Sequence, residues 1–205
     1  MRSSNEKIVK DTVYLLSSSL IGRIFSGIAG IITARVLGPE DFGLLKIINY
    51  IPSLAKYGSF GFSDVAKREI PHIRGLKQSK EKEKIIRNVS FSSEILWFLF
   101  IAIIVVVASL FYESPKIKFG LYIVSISLLL SGLNKVYGVC LAIEKRFSIL
   151  ASATLFRSLV ISVIILSTIY WGRIFSVLGA GLVGGAFTLI YFRKKINLDF
   201  SFSIS

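Results

Sequence analysis

Six apolar stretches, each about the length a helix needs to cross a hydrocarbon core of about 30 Å, dominate the chain. They cover residues 12–37, 42–62, 89–111, 119–141, 147–171 and 174–192. A water-soluble fold has no use for six such segments, and the composition agrees. Of the 205 residues 53% are hydrophobic and only 18% charged, with a mean hydropathy of +0.69. The expected fold class is an all-α membrane protein, a single six-transmembrane-helix bundle over residues 1–205 with a basic cytoplasmic loop at 63–88.

The net charge of +13 would suggest nucleic acid in a soluble protein. In a membrane protein its distribution sets orientation instead, and no nucleic-acid partner is expected. Sixteen of the 25 basic residues lie in the N-terminus (Arg2, Lys7, Lys10), in 67–87, at Lys145 and Arg146, and in the tail at Arg193, Lys194 and Lys195. The odd-numbered connections hold only Arg35, Lys116, Lys118 and Arg173. The positive-inside rule then places both termini and the even connections in the cytoplasm, in a multi-pass protein of the cell membrane. Phe111-Tyr112 and Tyr170-Trp171 fall at the outward helix ends, where aromatic belts are found. The first stretch is too long for a signal sequence and contains Arg23, so it is read as a retained helix.

The segment "ARVLGPEDFGLL" (34–45) interrupts the first apolar run. Gly38 and Pro39 stop one helix, while Glu40 and Asp41 suit the first turn of the next, facing its unpaired amides. It reads as an outward-facing membrane hairpin turn. Residues 63–88 are the only sizeable polar segment, in which Pro71 and Gly75 would punctuate short helices at the interface. Its bases either set topology or recognise anionic lipid or a partner protein.

Side chains inside the bilayer show what such a bundle is for, because a cation there is costly and normally faces the protein interior or a watery cavity. Five qualify: Arg23, Lys46, Lys56, Lys135 and Arg157. Lys46, Lys56 and Lys135 lie near helix ends and can instead snorkel to the surface. Arg23 and Arg157 lie mid-helix and are expected to share one cavity. At 100° per residue Lys46, Asn49, Ser53 and Lys56 occupy a sector of roughly 80°. Ser19, Arg23, Ser26, Gly27 and Gly30 span about 100°, a spacing repeated by Ser127, Ser131, Asn134, Lys135 and Gly138. Arg157 has Thr154 and Ser158 beside it. Glu94 is the one acid available, as a partner or as an interfacial residue. The expected substrate-cavity set is therefore Arg23, Lys46, Asn49, Lys56, Lys135 and Arg157, with water or an anionic ligand compensating the excess charge. Packing of small and polar residues alone would explain the Ser and Gly but not the Arg.

No chemistry of catalysis is legible, and no enzyme, cofactor or metal is expected. "GAGLVG" (179–184) matches a dinucleotide-loop pattern but lies within an apolar helix, where Gly181 and Gly185 serve close packing. His72 is the sole histidine and Cys140 the sole cysteine, so neither a metal cluster nor an intrachain disulfide can be built on them. Asn88-Val-Ser90 fits a glycosylation acceptor on the wrong side of the membrane, and there is no Walker A sequence.

Three segments resemble the polysaccharide-biosynthesis flippases, the Wzx-type branch of the multidrug/oligosaccharidyl-lipid/polysaccharide exporter superfamily. They are "ITARVLGPEDFGLL" (32–45), "YGSFGFSDVAKREIPHIRG" (57–75) and "LNKVYGVCLAIEKRFSILA" (133–151). The resemblance implies one amino-terminal lobe of a MATE-like exporter. It further implies a carrier that moves a prenyl-diphosphate-linked sugar between leaflets by alternating access, without ATP, its cations receiving the diphosphate. Members normally have two such lobes, so it implies a second lobe or a homodimer partner. The alternatives are a scaffold subunit that docks polysaccharide enzymes through the basic loop, and a multidrug-type exporter of the same superfamily.

Overall fold

The computed structural model describes residues 2–58, 61–76 and 80–195, with side chains from residue 13 onward. The basic side chains expected at the N-terminus (Arg2, Lys7, Lys10) and the tail beyond Lys195 lie outside the described residues. Five helices follow in order: α1 (Arg2–Tyr57), α2 (Phe62–Gly75), α3 (Lys80–Leu110), α4 (Pro115–Ile143) and α5 (Phe147–Lys195). Among the described residues there is no strand. Four long segments, all but α2, are apolar enough to cross a membrane.

Six separate helices are thus not what the backbone shows. Stretches 12–37 and 42–57 are joined in α1, while Phe62, expected to end the second stretch, already begins α2; 147–171 and 174–192 are joined in α5, and in both cases the connection shrinks to a single residue of non-helical backbone. In α1 that residue is Gly38, at φ 74° and ψ 176°. Glycine reaches this region without a Cβ clash, and Pro39 restarts the helix with a preset φ. In α5 it is Arg173, at φ 46° and ψ −123°, a conformation that costs an L-residue about 1–3 kcal/mol.

Both segments turn back on themselves at these residues. Ile161 and Gly184 would be about 35 Å apart in a straight helix, yet a methyl group at Gly184 would strike the Ile161 side chain. The Ser152 and Tyr191 hydroxyls of the same segment are 3.0 Å apart. In α1, Ser26, Gly30 and Thr33 line one small cavity with Phe42, Lys46 and Asn49.

Within the polar segment 63–88, residues 63–75 and 80–88 are helical, as the expectation of short helices there required. Helix α2 buries Ser63, Ala66, Ile70 and Ile73, positions three or four apart that form one face. That face packs on Phe91 of α3 and on Val136, Val139 and Ile143 of α4. The other face, with Asp64, Lys67, Arg68, Glu69, His72 and Arg74, is exposed. Pro71 lies inside α2 instead of bounding it, and Gly75 is its last residue. Helix α3 starts at Lys80, nine residues before the expected 89. Glu81 and Glu83 occupy its first turn, where acids favour the helix dipole. Arg74 Nε reaches both Glu83 oxygens at 3.1 Å and ties the two helices together.

The main core gathers Leu45 and Ile48 of α1, Phe98 of α3, Val124 and Leu128 of α4, and Ile165 and Ile169 of α5. Large apolar side chains such as Ile24, Ile31, Leu99 and Ile103 are exposed on the outside, as expected of a surface solvated by lipid.

Candidate functional site

A cavity of about 330 Å³ opens between the end of α1, α3, α4 and α5. Three of the six expected residues meet there: Lys56 from α1, Lys135 from α4 and Arg157 from α5. Ser131, Asn134, Thr154 and Thr188 add hydroxyl and amide groups, and Phe98 and Phe192 supply apolar wall. The stripe on α4 foretold Ser131, Asn134 and Lys135 together, because residues three and four apart share a helix face. Thr188 had no signal in the sequence.

Among the described residues the carboxylate paired with this group is Glu94 of α3, which is fully buried. Its Oε1 lies 2.6 Å from Lys135 Nζ. Its other oxygen accepts a hydrogen bond of 2.5 Å from the Ser63 hydroxyl at the start of α2. A buried carboxylate without such partners costs several kcal/mol, about what the desolvation of one ion demands. Glu94 is therefore a partner of the stripe, and the interfacial alternative is set aside. Lys135 Nζ also sits 5.9 Å from the Phe98 ring centre.

Three cations, Lys56, Lys135 and Arg157, thus converge on one cavity, and the Glu94 carboxylate pairs with Lys135. Among the described residues Arg157 makes no salt bridge or hydrogen bond, although it is only partly exposed. Asn134 Nδ2 donates to the Gly185 carbonyl at 2.9 Å. Its Oδ1 is buried with no hydrogen-bond partner among the described residues. A guanidinium with all its donors available and an amide oxygen open to a donor together suit an oxyanion that carries a hydroxylated group.

The other expected residues go elsewhere. Lys46 and Asn49 line a second cavity of about 200 Å³ between the arms of α1 and α5, with Ser26, Gly30, Thr33 and Ser162. Lys46 Nζ lies 4.8 Å from the Phe42 ring centre. Arg23 is exposed and lines neither cavity, although its neighbour Gly22 packs against Ser158, next to Arg157. The shared pocket expected for Arg23 and Arg157 is formed instead by Lys56, Lys135 and Arg157.

A polar cluster at the opposite end of the bundle holds the backbone breaks. Asp41, only 12% exposed at its side chain, accepts from Arg173 Nε at 3.1 Å and from Lys116 Nζ at 3.5 Å. The Arg173 guanidinium also donates to the Leu37 carbonyl at 3.3 Å. These contacts hold Arg173 in its costly backbone conformation and join three segments distant in sequence. Charge counting treated Lys116 and Arg173 only as loop bases and could not reveal the pairing.

A family model described as "Polysaccharide biosynthesis protein" matches residues 8–205, nearly the whole chain. No curated protein and no solved structure matches.

Proposed function

Because the chain belongs to the polysaccharide biosynthesis protein family, we propose that it is a flippase lobe, moving a prenyl-diphosphate-linked sugar across the cell membrane by alternating access. In this reading the arms of α1 and α5 each cross the bilayer, which with α3 and α4 makes six passes and a MATE-like lobe. The basic face of α2 lies at the cytoplasmic surface, with both chain ends on that side. The opposing wall of the pathway comes from a second lobe or a second copy. The chain acts as a carrier, not as an enzyme.

The convergence of three cations, Lys56, Lys135 and Arg157, on one cavity within the bundle is the observation that carries this proposal. A cationic pocket inside a lipid-solvated bundle is favourable only when an anion or water fills it, and a diphosphate supplies two charges at close spacing. Arg157 offers a planar fork for bidentate phosphate contact, and Lys56 a point charge beside it. The exposed Lys67, Arg68 and Arg74 of α2 favour a second reading, a scaffold that docks polysaccharide enzymes.

Leaflet exchange of a fluorescent prenyl-diphosphate-linked sugar in proteoliposomes tests the first reading. Lys56→Gln and Arg157→Gln are each expected to slow exchange by about 10-fold or more, the value of one charge-assisted hydrogen bond. Arg23→Gln should leave it within about two-fold, since loss of a side chain remote from the cavity changes no phosphate contact. Wild-type rates in the Lys56→Gln, Arg157→Gln double variant contradict the proposal. Loss of exchange only on substitution of Lys67 and Arg68 favours the scaffold.

A further inference from the structure

The second cavity, between the arms of α1 and α5, is built differently from the first. Lys46, Asn49, Ser26 and Ser162 bring an ammonium, an amide and two hydroxyls to a space of about 200 Å³, and among the described residues no carboxylate lines it. Asp41, five residues before Lys46, is already engaged by Arg173 and Lys116. Among the described residues Lys46 makes no ion pair, and its Nζ rests over the Phe42 ring, 4.8 Å from the centre.

Ser162 sets this cavity apart. A serine or threonine inside an apolar helix ordinarily returns its hydroxyl to the carbonyl one turn back. Thr33, Ser167 and Thr168 do so at 2.7, 2.9 and 2.7 Å. Ser162 is only 1% exposed, yet its Oγ has no hydrogen-bond partner among the described residues. A buried hydroxyl left unsatisfied is costly, and a ligand in the cavity removes that cost.

One fixed charge sets the charge of the ligand. In a site of low dielectric a single ammonium is balanced by one negative charge, and a second would stay uncompensated. Phe42, Leu45 and Ile165 give the cavity apolar wall, which replaces little of a hydration shell and so favours an anion that sheds water readily over sulfate or phosphate. The volume holds such an ion with a few waters, at about 30 Å³ each. We propose that this cavity binds one weakly hydrated monovalent anion, of which chloride is the physiological member, with Lys46 supplying the charge and Ser162 and Asn49 donating hydrogen bonds. It shares no lining residue with the cavity at Lys56, Lys135 and Arg157, so the inference stands apart from the phosphate reading.

The test is the chlorine NMR linewidth of chloride titrated into the full chain in zwitterionic lipid nanodiscs. Wild type is expected to add a saturable excess linewidth, displaced by bromide or thiocyanate and not by sulfate. Lys46→Gln should lower the affinity about 10-fold or more, and Ser162→Ala, which removes one hydroxyl and adds no bulk, about 5- to 10-fold, while Lys46→Arg keeps it within about three-fold. Ser162→Ala carries the test even where Lys46→Gln fails to fold. The Lys56→Gln, Arg157→Gln double variant should bind chloride as wild type does. No saturable excess in wild type makes water the only occupant and overturns the inference. Binding that ignores both Lys46→Gln and Ser162→Ala, or that disappears in the Lys56→Gln, Arg157→Gln variant, places the ion elsewhere and overturns it too. Displacement by glucuronate with bromide ineffective identifies a carboxylate ligand, with the same consequence.

Discussion

Replacing Glu94 with alanine is expected to destabilise the protein by about 3–5 kcal/mol, because removing one partner of a buried ion pair leaves the other charge uncompensated. Glu94 is fully buried and Lys135 only 27% exposed at its side chain, so little solvent screens the loss. The Ser63 hydroxyl loses its acceptor at the same time, which loosens α2 from α3. In detergent a drop in Tm of about 10 °C or more is expected for a chain of this size. The double variant Glu94→Leu, Lys135→Met should recover most of that loss, since apolar residues of similar volume replace a buried pair at little cost. A wild-type Tm for Glu94→Ala would mean that the pair is not formed in the membrane protein.

Gly184→Leu is expected to have the next largest effect on stability. The two arms of α5 approach so closely at this position that even a methyl group meets Ile161 Cγ1 and Cδ1 and touches Arg157 Cγ. Small residues are what let membrane helices come together at this range. A leucine forces the arms apart, and overpacking of this kind costs about 1–3 kcal/mol. It also pulls the Gly185 carbonyl from Asn134 and displaces Arg157 in the cavity wall. Ile161→Ala in the Gly184→Leu background should restore Tm, because it removes the atoms that clash. No rescue would place the damage elsewhere. The sequence pointed to Gly181 and Gly185 as the packing pair, but a Cβ at Gly181 meets nothing within 4 Å and one at Gly185 makes only ordinary contacts. Spacing alone cannot say which side of a helix its neighbour takes.

The same distinction runs through the whole chain. The apolar stretches were legible because lipid imposes length and polarity on any helix that crosses it. The break at Gly38 was legible too, since Gly-Pro is a local signal. The early start of α3 was not, because residues 80–88 are polar and exposed on most sides and carry no apolar period. Lys56, Lys135 and Arg157 stood out as expensive cations, yet the stripe containing Arg23 gave no hint that the arginine faces outward. An angular sector fixes which residues share a face, not what that face meets. Glu94 with Lys135, and Asp41 with Lys116 and Arg173, join separate helices and exist only once those helices have packed.

A phosphate-receiving pocket at Lys56, Lys135 and Arg157 is tested by phosphorus NMR of inorganic pyrophosphate titrated into the protein in zwitterionic nanodiscs. Saturable binding is expected for wild type and for Arg23→Gln, with an affinity about 10-fold or more lower in Arg157→Gln and no binding in the Lys56→Gln, Arg157→Gln double variant. Equal pyrophosphate binding by wild type and the double variant, or none by wild type, would contradict it.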